Sequence, residues 1–267
     1  MSIYIDTLEG VRYDLNQYGL KPLKFEIDSL SSRTESEVID GRDGHIDIET
    51  TFEGRSLRAS FLLEAKNIID FSFLRDKVFR LFDGKTYFYI LESRQPSKRW
   101  KVRTVSKFTL DRINPRTATF EISFLSPSPY AESIGSTLYP YYLDGYLQVS
   151  THENVQYIFQ ENVFSVWNDG DVAVDPREYP LRIEFKGASN NLTIRNLTTN
   201  DEWQYNGTTN SNDIITLDGI RSFKNGFSIF GKTNRKLITL NQGWNDFEIV
   251  GALDPYEISF DFRFYYI

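Results

Sequence analysis

The segment that comes nearest to a known chemical motif is residues 226–233. It reads GFSIFGKT and satisfies the phosphate-loop pattern G-x-x-x-x-G-K-[ST]. A phosphate cradle needs small residues whose backbone N–H groups converge, and a helix that starts at the lysine. Here the intervening FSIF alternates like a strand, and the following NRKLITL predicts a turn and another strand. We therefore interpret the match as a coincidental hairpin.

Two histidines and three aspartates are the next candidates for chemistry. His45 and His152 are far apart in the sequence, and a catalytic or metal role needs converging partners. Asp169, Asp171 and Asp175 offer the oxygen ligands that calcium prefers, but their spacing lacks the glutamate that closes a calcium loop. The sequence favours surface and turn positions for all five. It predicts no catalytic residue, no metal ligand and no cofactor.

Two aromatic residues form the only candidate binding site. Trp203 and Tyr205 share one face of a predicted strand beside the Asn206-Gly207 turn, and Trp244 lies in another turn-rich stretch. Exposed rings near the loops of a sandwich can stack on the apolar faces of sugars. The alternative is that the rings fill the core, where aromatic side chains bury large areas. Trp203 and Tyr205 are therefore the candidate carbohydrate contacts, with the core position as the favoured alternative.

One helix organises the first half of the chain. In residues 67–91, apolar residues recur at helical spacing and are followed by the strand-like run YFYIL. The predicted helix begins at a cap formed by Asp70 or Ser72 and ends at Asp83-Gly84. Its buried stripe consists of Phe71, Leu74, Val78, Leu81 and Phe82.

Short strands surround this helix. Alternating apolar residues predict strands over residues 55–63 and 117–125, whereas residues 29–37 read as a polar loop before two Asp-Gly turns. The proline- and serine-rich residues 126–140 mark a domain boundary. Beyond them, about eight short strands with turn signals predict a jelly-roll-like β-sandwich. The predicted fold is mainly β. It has an N-terminal β-sandwich-like domain (residues 1–135) with one packed α-helix, and a C-terminal sandwich (residues 136–267).

Composition excludes several classes of protein. The formal charge of −7 and the absence of a long basic run argue against nucleic-acid binding through phosphate neutralisation. The chain has no cysteine, so disulfides and thiolate sites are excluded. The N-terminal MSIYIDTLEG does not read as a signal peptide, and no apolar run is long enough to span a bilayer. We expect an acidic protein that is made in the cytoplasm and does not insert into membranes.

The order of several weak motifs carries a family resemblance. The first half contains VIDGRDG, a strand starting near Arg55, FRLFDGKTYFYIL, ATFEISF and SPSPYAES. The second contains EYPLRIEFKGASNNLTIRN, DIITLDG, GWNDFEIVG and a final aromatic strand. Together they resemble the distal tail proteins of long, non-contractile bacteriophage tails, whose C-terminal domain is a galectin-like sandwich. Many relatives have an acidic residue before the proline of the closing motif, where this chain has Ser128 before Pro129.

The resemblance implies a structural role without enzymatic activity. Such proteins form a homohexameric ring at the distal end of the tail of the virion. The ring joins the tail tube protein to the tail-tip protein, a tail-associated lysin, and docks receptor-binding proteins for host attachment. DNA passes through the channel without sequence-specific binding. Six copies carry a formal charge of six times −7, or −42, and carboxylates lining the channel would repel DNA from its wall.

Two alternatives come from other classes of function. One is a carbohydrate-binding module that recognises host cell-wall sugars through Trp203 or Tyr205 of the C-terminal sandwich. The other is a hydrolase that uses a carboxylate pair. Such a pair needs a separation of about 5–10 Å, and the sequence singles out none.

Overall fold

Antiparallel strands make up most of the computed structural model, which describes residues 1–140, 142–143, 146–147 and 155–267. The mainly β fold class predicted from the sequence is confirmed. Contacts divide the chain into two units, Met1–Ala131 with Ile267 and Glu132–Tyr266. The roles that the resemblance gives to two domains stay predictions.

Among the described residues, the first unit contains the single α-helix and ten strands. The sheet order is β2-β1-β7-β8-β10-β6-β3, β9 pairs with β10, and β4 and β5 pair only with each other. The elements are β1 (Ile3–Thr7), β2 (Arg12–Asp14), a 3-10 turn (Leu15–Tyr18), β3 (Leu20–Ile27), β4 (Ser32–Glu37), β5 (Ile46–Phe52), β6 (Arg55–Glu64), α1 (Ile68–Leu81), β7 (Phe88–Glu92), β8 (Lys98–Thr104), β9 (Asp111–Asn114) and β10 (Thr117–Ser126).

Alternation sets the core of this unit, as predicted for β6 and β10. Every second residue of each strand is buried, because successive side chains of a strand point to opposite faces. Phe61 and Phe120 lie opposite each other in the ladder, and their rings stack with centroids 5.3 Å apart. The predicted polar loop at residues 29–37 is wrong, since Ser32–Glu37 forms β4.

The helix is confirmed, but its predicted cap is wrong. Asn67 is the N-cap, and its side-chain oxygen accepts hydrogen bonds from the backbone N–H groups of Ile69 (3.0 Å) and Asp70 (2.9 Å). Asp70 instead accepts from the backbone N–H of Lys66. The helix buries Phe71 and Val78. The helix α1 thus covers one side of the aromatic core of this unit.

The second unit is almost entirely strand. The sheet order is β14-β22-β16-β19-β20-β21, with β15 on β22 and with β17 and β18 on β16. The remaining elements are β11 (Ala131–Ser133), β12 (Tyr142–Leu143), β13 (Tyr146–Leu147), β14 (Ile158–Phe159), β15 (Val163–Asn168), β16 (Leu181–Asn196), β17 (Asp201–Gln204), β18 (Thr208–Thr209), β19 (Ile214–Asp218), β20 (Arg221–Lys224), β21 (Phe227–Ser228), a 3-10 turn (Phe230–Lys232), β22 (Gly243–Phe262) and β23 (Tyr265–Tyr266).

Two long strands replace four of the short strands that the sequence predicts for this half of the chain. β16 has 16 residues and β22 has 20, and they pair antiparallel along most of their length. The pairing register shifts after Gly187, whose φ is +156° and whose added Cβ would lie 2.5 Å from Tyr256 Cβ. Glycine therefore permits the bulge that keeps both strands continuous. Apolar alternation had marked the flanking parts and not the bulge.

Candidate functional site

The phosphate-loop pattern forms a hairpin, as interpreted from the sequence. Asn225 and Gly226, both with positive φ, turn β20 into β21. A single 3-10 turn (Phe230–Lys232) follows, and Thr233 is already extended. No α-helix starts at Lys232, so the convergent N–H groups that would hold a phosphate are not formed there.

The two candidate sugar contacts are core residues. Trp203 is 1% exposed and Tyr205 is 4% exposed. The indole N–H of Trp203 donates to the hydroxyl of Ser222 at 3.1 Å, which satisfies its polar atom inside the sheet. Neither ring face is open to solvent, so the structure does not support sugar stacking by these residues. Both residues lie in the core, which is the alternative stated for them from the sequence.

The titratable candidates do not converge. His45 is exposed, with its Nε2 atom 3.2 Å from Asp47, and His152 lies outside the described residues. Asp175 accepts hydrogen bonds from the side chain and backbone of Arg177, which lower the pKa of its carboxyl group. Asp169 accepts from the indole N–H of Trp167. Within the described ranges, no group of three or more His, Cys, Asp or Glu side chains could hold a metal ion.

A cleft of about 510 Å³ lies between α1, β1 and β7. Apolar residues such as Ile5, Leu74 and Val78 line it. Among the described residues of its wall, only Glu9, Lys77 and Arg80 carry charge. This lining suits the binding of an apolar group, and it offers no nucleophile paired with a base.

The most unusual surface is the hairpin formed by β4 and β5. Every residue of both strands is exposed, including Ile48 at 64%. Val38, in the turn between them, is 72% exposed. An isolated two-stranded hairpin is only marginally stable in water, and exposed apolar side chains on a free strand pair favour association with another chain. We call residues 31–53 the arm.

The base of the arm is well anchored. The backbone N–H of Glu53 donates to the carbonyl of Ser31 at 2.9 Å, which closes the strand pair. Phe52 contacts the ring of Tyr130 edge to face, with centroids 6.4 Å apart. The guanidinium of Arg55 donates to the carbonyl of Asp28 at 2.7 Å. The base of the arm is therefore fixed to the rest of the unit, whereas every residue of its two strands is exposed.

A second exposed surface involves two tryptophans that lie opposite each other in β15 and β22. Trp167 and Trp244 have ring centroids 5.1 Å apart, and Trp244 is 49% exposed. On the same face of the strands, the hydroxyl of Ser165 donates to Asp246 at 2.7 Å. The sequence showed Trp244 near turns, but the pairing with Trp167 depends on a strand register that it does not reveal.

Comparison with known proteins places these surfaces in context. Residues 12–126 match the family model described as a phage tail protein RIFT-related domain. No curated protein matches the chain. The crystal structure of the phage SPP1 Dit protein, described as a paradigm of the hub adsorption apparatus in phages infecting Gram-positive bacteria, has a TM-score of 0.69 at 15% identity. That match covers 98% of this chain and 99% of the other.

Two structures of the phage p2 baseplate in its activated conformation, with strontium and with calcium, also match. Their TM-scores are 0.47 and 0.48, their identities 9% and 10%, and each match covers 98% of this chain and 97% of the other. Likeness at that level supports no inference about this chain.

The matches bear on the resemblance noted in the sequence. Residues 12–126 match the phage tail protein RIFT-related domain, and the chain shares the fold of the SPP1 Dit protein. The resemblance to the distal tail proteins of siphophages, predicted from the order of the sequence segments, is confirmed.

Proposed function

We propose that this chain is a structural virion protein, a homohexameric hub at the distal end of a phage tail. The hub joins the tail tube protein to the tail-tip protein and docks receptor-binding proteins. The observation that carries the proposal is the tail-protein domain at residues 12–126, together with an arm that is exposed on both faces. An exposed strand pair is a natural surface for association with another chain, so a subunit of an assembly gains a contact from the arm.

The two units take different parts in this proposal. The first unit forms the ring around the channel, and the second, galectin-like unit faces outward toward partner proteins. Ring closure requires head-to-tail contacts between different surfaces of neighbouring copies. The arm supplies one such surface.

We infer that the protein is not an enzyme. The cleft beside α1 has an apolar wall and no paired acid and base. The histidine and aspartate candidates within the described ranges are dispersed or bound to neighbours. Incubation with purified cell-wall polymers tests this inference, and release of soluble fragments would overturn it.

The direct test of the hub is the solution mass of the full chain. We expect light scattering to show a species near six times 31.2 kDa as concentration rises. Co-purification with a tail tube protein or a receptor-binding protein of the same phage then tests the docking roles.

A second candidate function, recognition of cell-wall sugars by the second unit, is favoured by the pair formed by Trp167 and Trp244. The exposed ring of Trp244, the half-buried ring of Trp167 and the neighbouring carboxylate of Asp246 offer a stacking surface and hydrogen-bond acceptors on one face. Binding of the full chain to cell-wall polysaccharide, measured by calorimetry, should be lost in Trp244→Ala. Phe227→Ala removes a ring that is 78% exposed and serves as the control. Equal binding by both variants would reject this candidate.

A further inference from the structure

The arm accounts for most of the net negative charge of the chain. Residues 31–53 contain seven carboxylates (Asp40, Asp43, Asp47 and Glu35, Glu37, Glu49, Glu53) and two arginines (Arg33 and Arg42). Seven negative and two positive charges give −5, out of −7 for the whole chain. A short segment with that charge attracts a cationic surface over a distance of about 10 Å at moderate salt.

The arrangement of these charges disfavours the arm by itself. Glu35 lies directly opposite Glu49 in the pairing of β4 with β5. Like charges opposite each other in a strand pair are destabilising. Both side chains are exposed, so no burial requirement places them there. A cation that approaches from outside reduces the repulsion between the two carboxylates.

Strand β8 presents such cations. Trp100, Val102 and Thr104 are buried, so Lys101 and Arg103 point to the opposite, outer side of the strand together with Arg99. This outer side lies beside two tyrosines. Arg99 is 3.7 Å from the ring centroid of Tyr89, and Lys101 and Arg103 are 5.6 Å and 5.7 Å from that of Tyr87. We call these five residues the cation–tyrosine face.

The face retains capacity for an anionic partner. Neither Lys101 nor Arg103 forms an ion pair with any residue in the described part of the chain. An arginine stacked on a ring keeps a planar fork of N–H donors, which suits carboxylates.

The spacing of the two surfaces matches. Asp47 and Glu49 are two residues apart on β5, and Lys101 and Arg103 are two residues apart on β8. Extended strands repeat on one face about every 6.6 Å, so two carboxylates of the arm can meet two cations at once. The arm does not meet them within its own chain, because all residues of β4 and β5 are exposed.

We propose that the arm of one copy docks on the cation–tyrosine face of a second copy of this chain. The proposal rests on the self-assembly stated above and names the surfaces that perform it. Because the two surfaces differ, the contact is head-to-tail, and successive copies repeat it around a closed ring.

A charge swap between copies tests this contact. The full-length variant Lys101→Glu with Arg103→Glu has an acidic face and the natural arm. The variant Asp47→Lys with Glu49→Lys changes the charge of the arm from −5 to −1, replaces the two docking carboxylates of β5 with cations and keeps the natural face. Each alone should associate at least about tenfold more weakly than the unchanged protein, which corresponds to about 1.4 kcal/mol. Mixed in equal amounts, they should associate again, because the natural carboxylates of one arm then meet the natural cations, and the introduced lysines of the other arm meet the introduced glutamates.

Matched controls keep the test specific. Lys232→Glu with Lys236→Glu, and Asp254→Lys with Glu257→Lys, make the same charge changes at exposed positions of the second unit. They should leave the solution mass unchanged, and circular dichroism verifies the fold of every variant. Restored association in the mixture alone supports the contact. Association of all variants at natural strength overturns the contact but leaves the hub standing. An unchanged protein that stays monomeric at low salt, even at high concentration, overturns both.

Discussion

The arm and the pair formed by β16 and β22 are both antiparallel strand pairs, but they differ in how much of their surface is buried. In β16 and β22, side chains alternate between buried and exposed, and Phe185, Phe247 and Phe260 fill a core. In the arm, every residue is exposed and two glutamates lie opposite each other. The long pair is thus stabilised by its own chain, whereas the arm has a composition that only a second surface stabilises.

The difference shows how an assembly surface can be recognised in a single subunit from its exposed apolar residues. A strand pair with one buried face gains about 25 cal/mol per Å² of apolar surface removed from water. The arm buries almost none and retains exposed Val38 and Ile48. Its apolar area becomes useful only at an interface, which is where exposed apolar patches on soluble proteins have their function.

The largest expected effect lies in the core of the second unit. Phe260 is fully buried, and its ring centroid lies 4.8 Å from that of Phe247. Phe260→Ala should lower the free energy of unfolding by about 3–5 kcal/mol, because it removes buried apolar area and leaves a cavity. Denaturant unfolding measures the change. Ile48→Ala in the arm should change it by no more than about 0.5 kcal/mol, and comparable losses at both positions would erase the contrast between the two pairs.

A smaller effect is expected at the helix cap. Asn67→Ala removes the acceptor for two backbone N–H groups and should cost about 1 kcal/mol of stability. Ser72→Ala is the matched control, since Ser72 lies inside α1 and was one of the caps expected from the sequence. Thermal unfolding of both variants shows which of the two residues caps the helix. A larger loss for Ser72→Ala than for Asn67→Ala would contradict the cap assignment.

The third effect depends on pH. Asp213 accepts hydrogen bonds from the backbone of Asn210 and the side chain of Asn225 and pairs with Lys224, which lowers the pKa of its carboxyl group from 3.8 to about 2. Because the folded pKa is depressed, the stabilisation is present above about pH 4 and is lost as pH falls toward 2.

Asp213→Asn should therefore be less stable than the unchanged protein at pH 7, and the difference should shrink between pH 4 and pH 2. Urea unfolding at a series of pH values measures it. Glu257→Gln, an exposed carboxylate in the same unit, is the control and should track the unchanged protein. A difference that stays constant down to pH 2 would show that the effect is not electrostatic.

The smallest expected effect on stability lies in the arm. Glu49→Thr removes the like-charge contact with Glu35 and places a β-favouring residue in β5. At concentrations where the protein is monomeric, the arm should gain about 0.2–1 kcal/mol, seen as slower hydrogen exchange of its backbone amides. Association should weaken at the same time. Unchanged exchange in the arm would mean that Glu35 and Glu49 do not oppose its folding.

The parts predicted from sequence are those with a buried face. β6, β10 and α1 were found because burial imposes a period of two or of 3.6 on apolar residues. β4 was missed because both of its faces are exposed, so its sequence SRTESE carries no alternation. The continuity of β16 was missed because the bulge at Gly187 interrupts the pattern.

Side-chain partners were the hardest features to predict. Asn67, Asp70 and Ser72 all satisfy the preferences of a cap, and only the backbone geometry selects Asn67. The sequence favours the core for Trp203, but it does not identify Ser222 as the acceptor of the indole N–H. The cation–tyrosine face depends on the pairing of β7 with β8, which joins residues that the sequence reads separately.

The measurement that most directly tests the hub is the solution mass of the full-length protein, determined by light scattering over a range of concentrations at low and high salt. Assembly through an acidic arm and a basic face predicts a species near six times 31.2 kDa at low salt that dissociates as salt screens the contact. A strict monomer at every concentration and salt would contradict self-assembly of this chain into a ring.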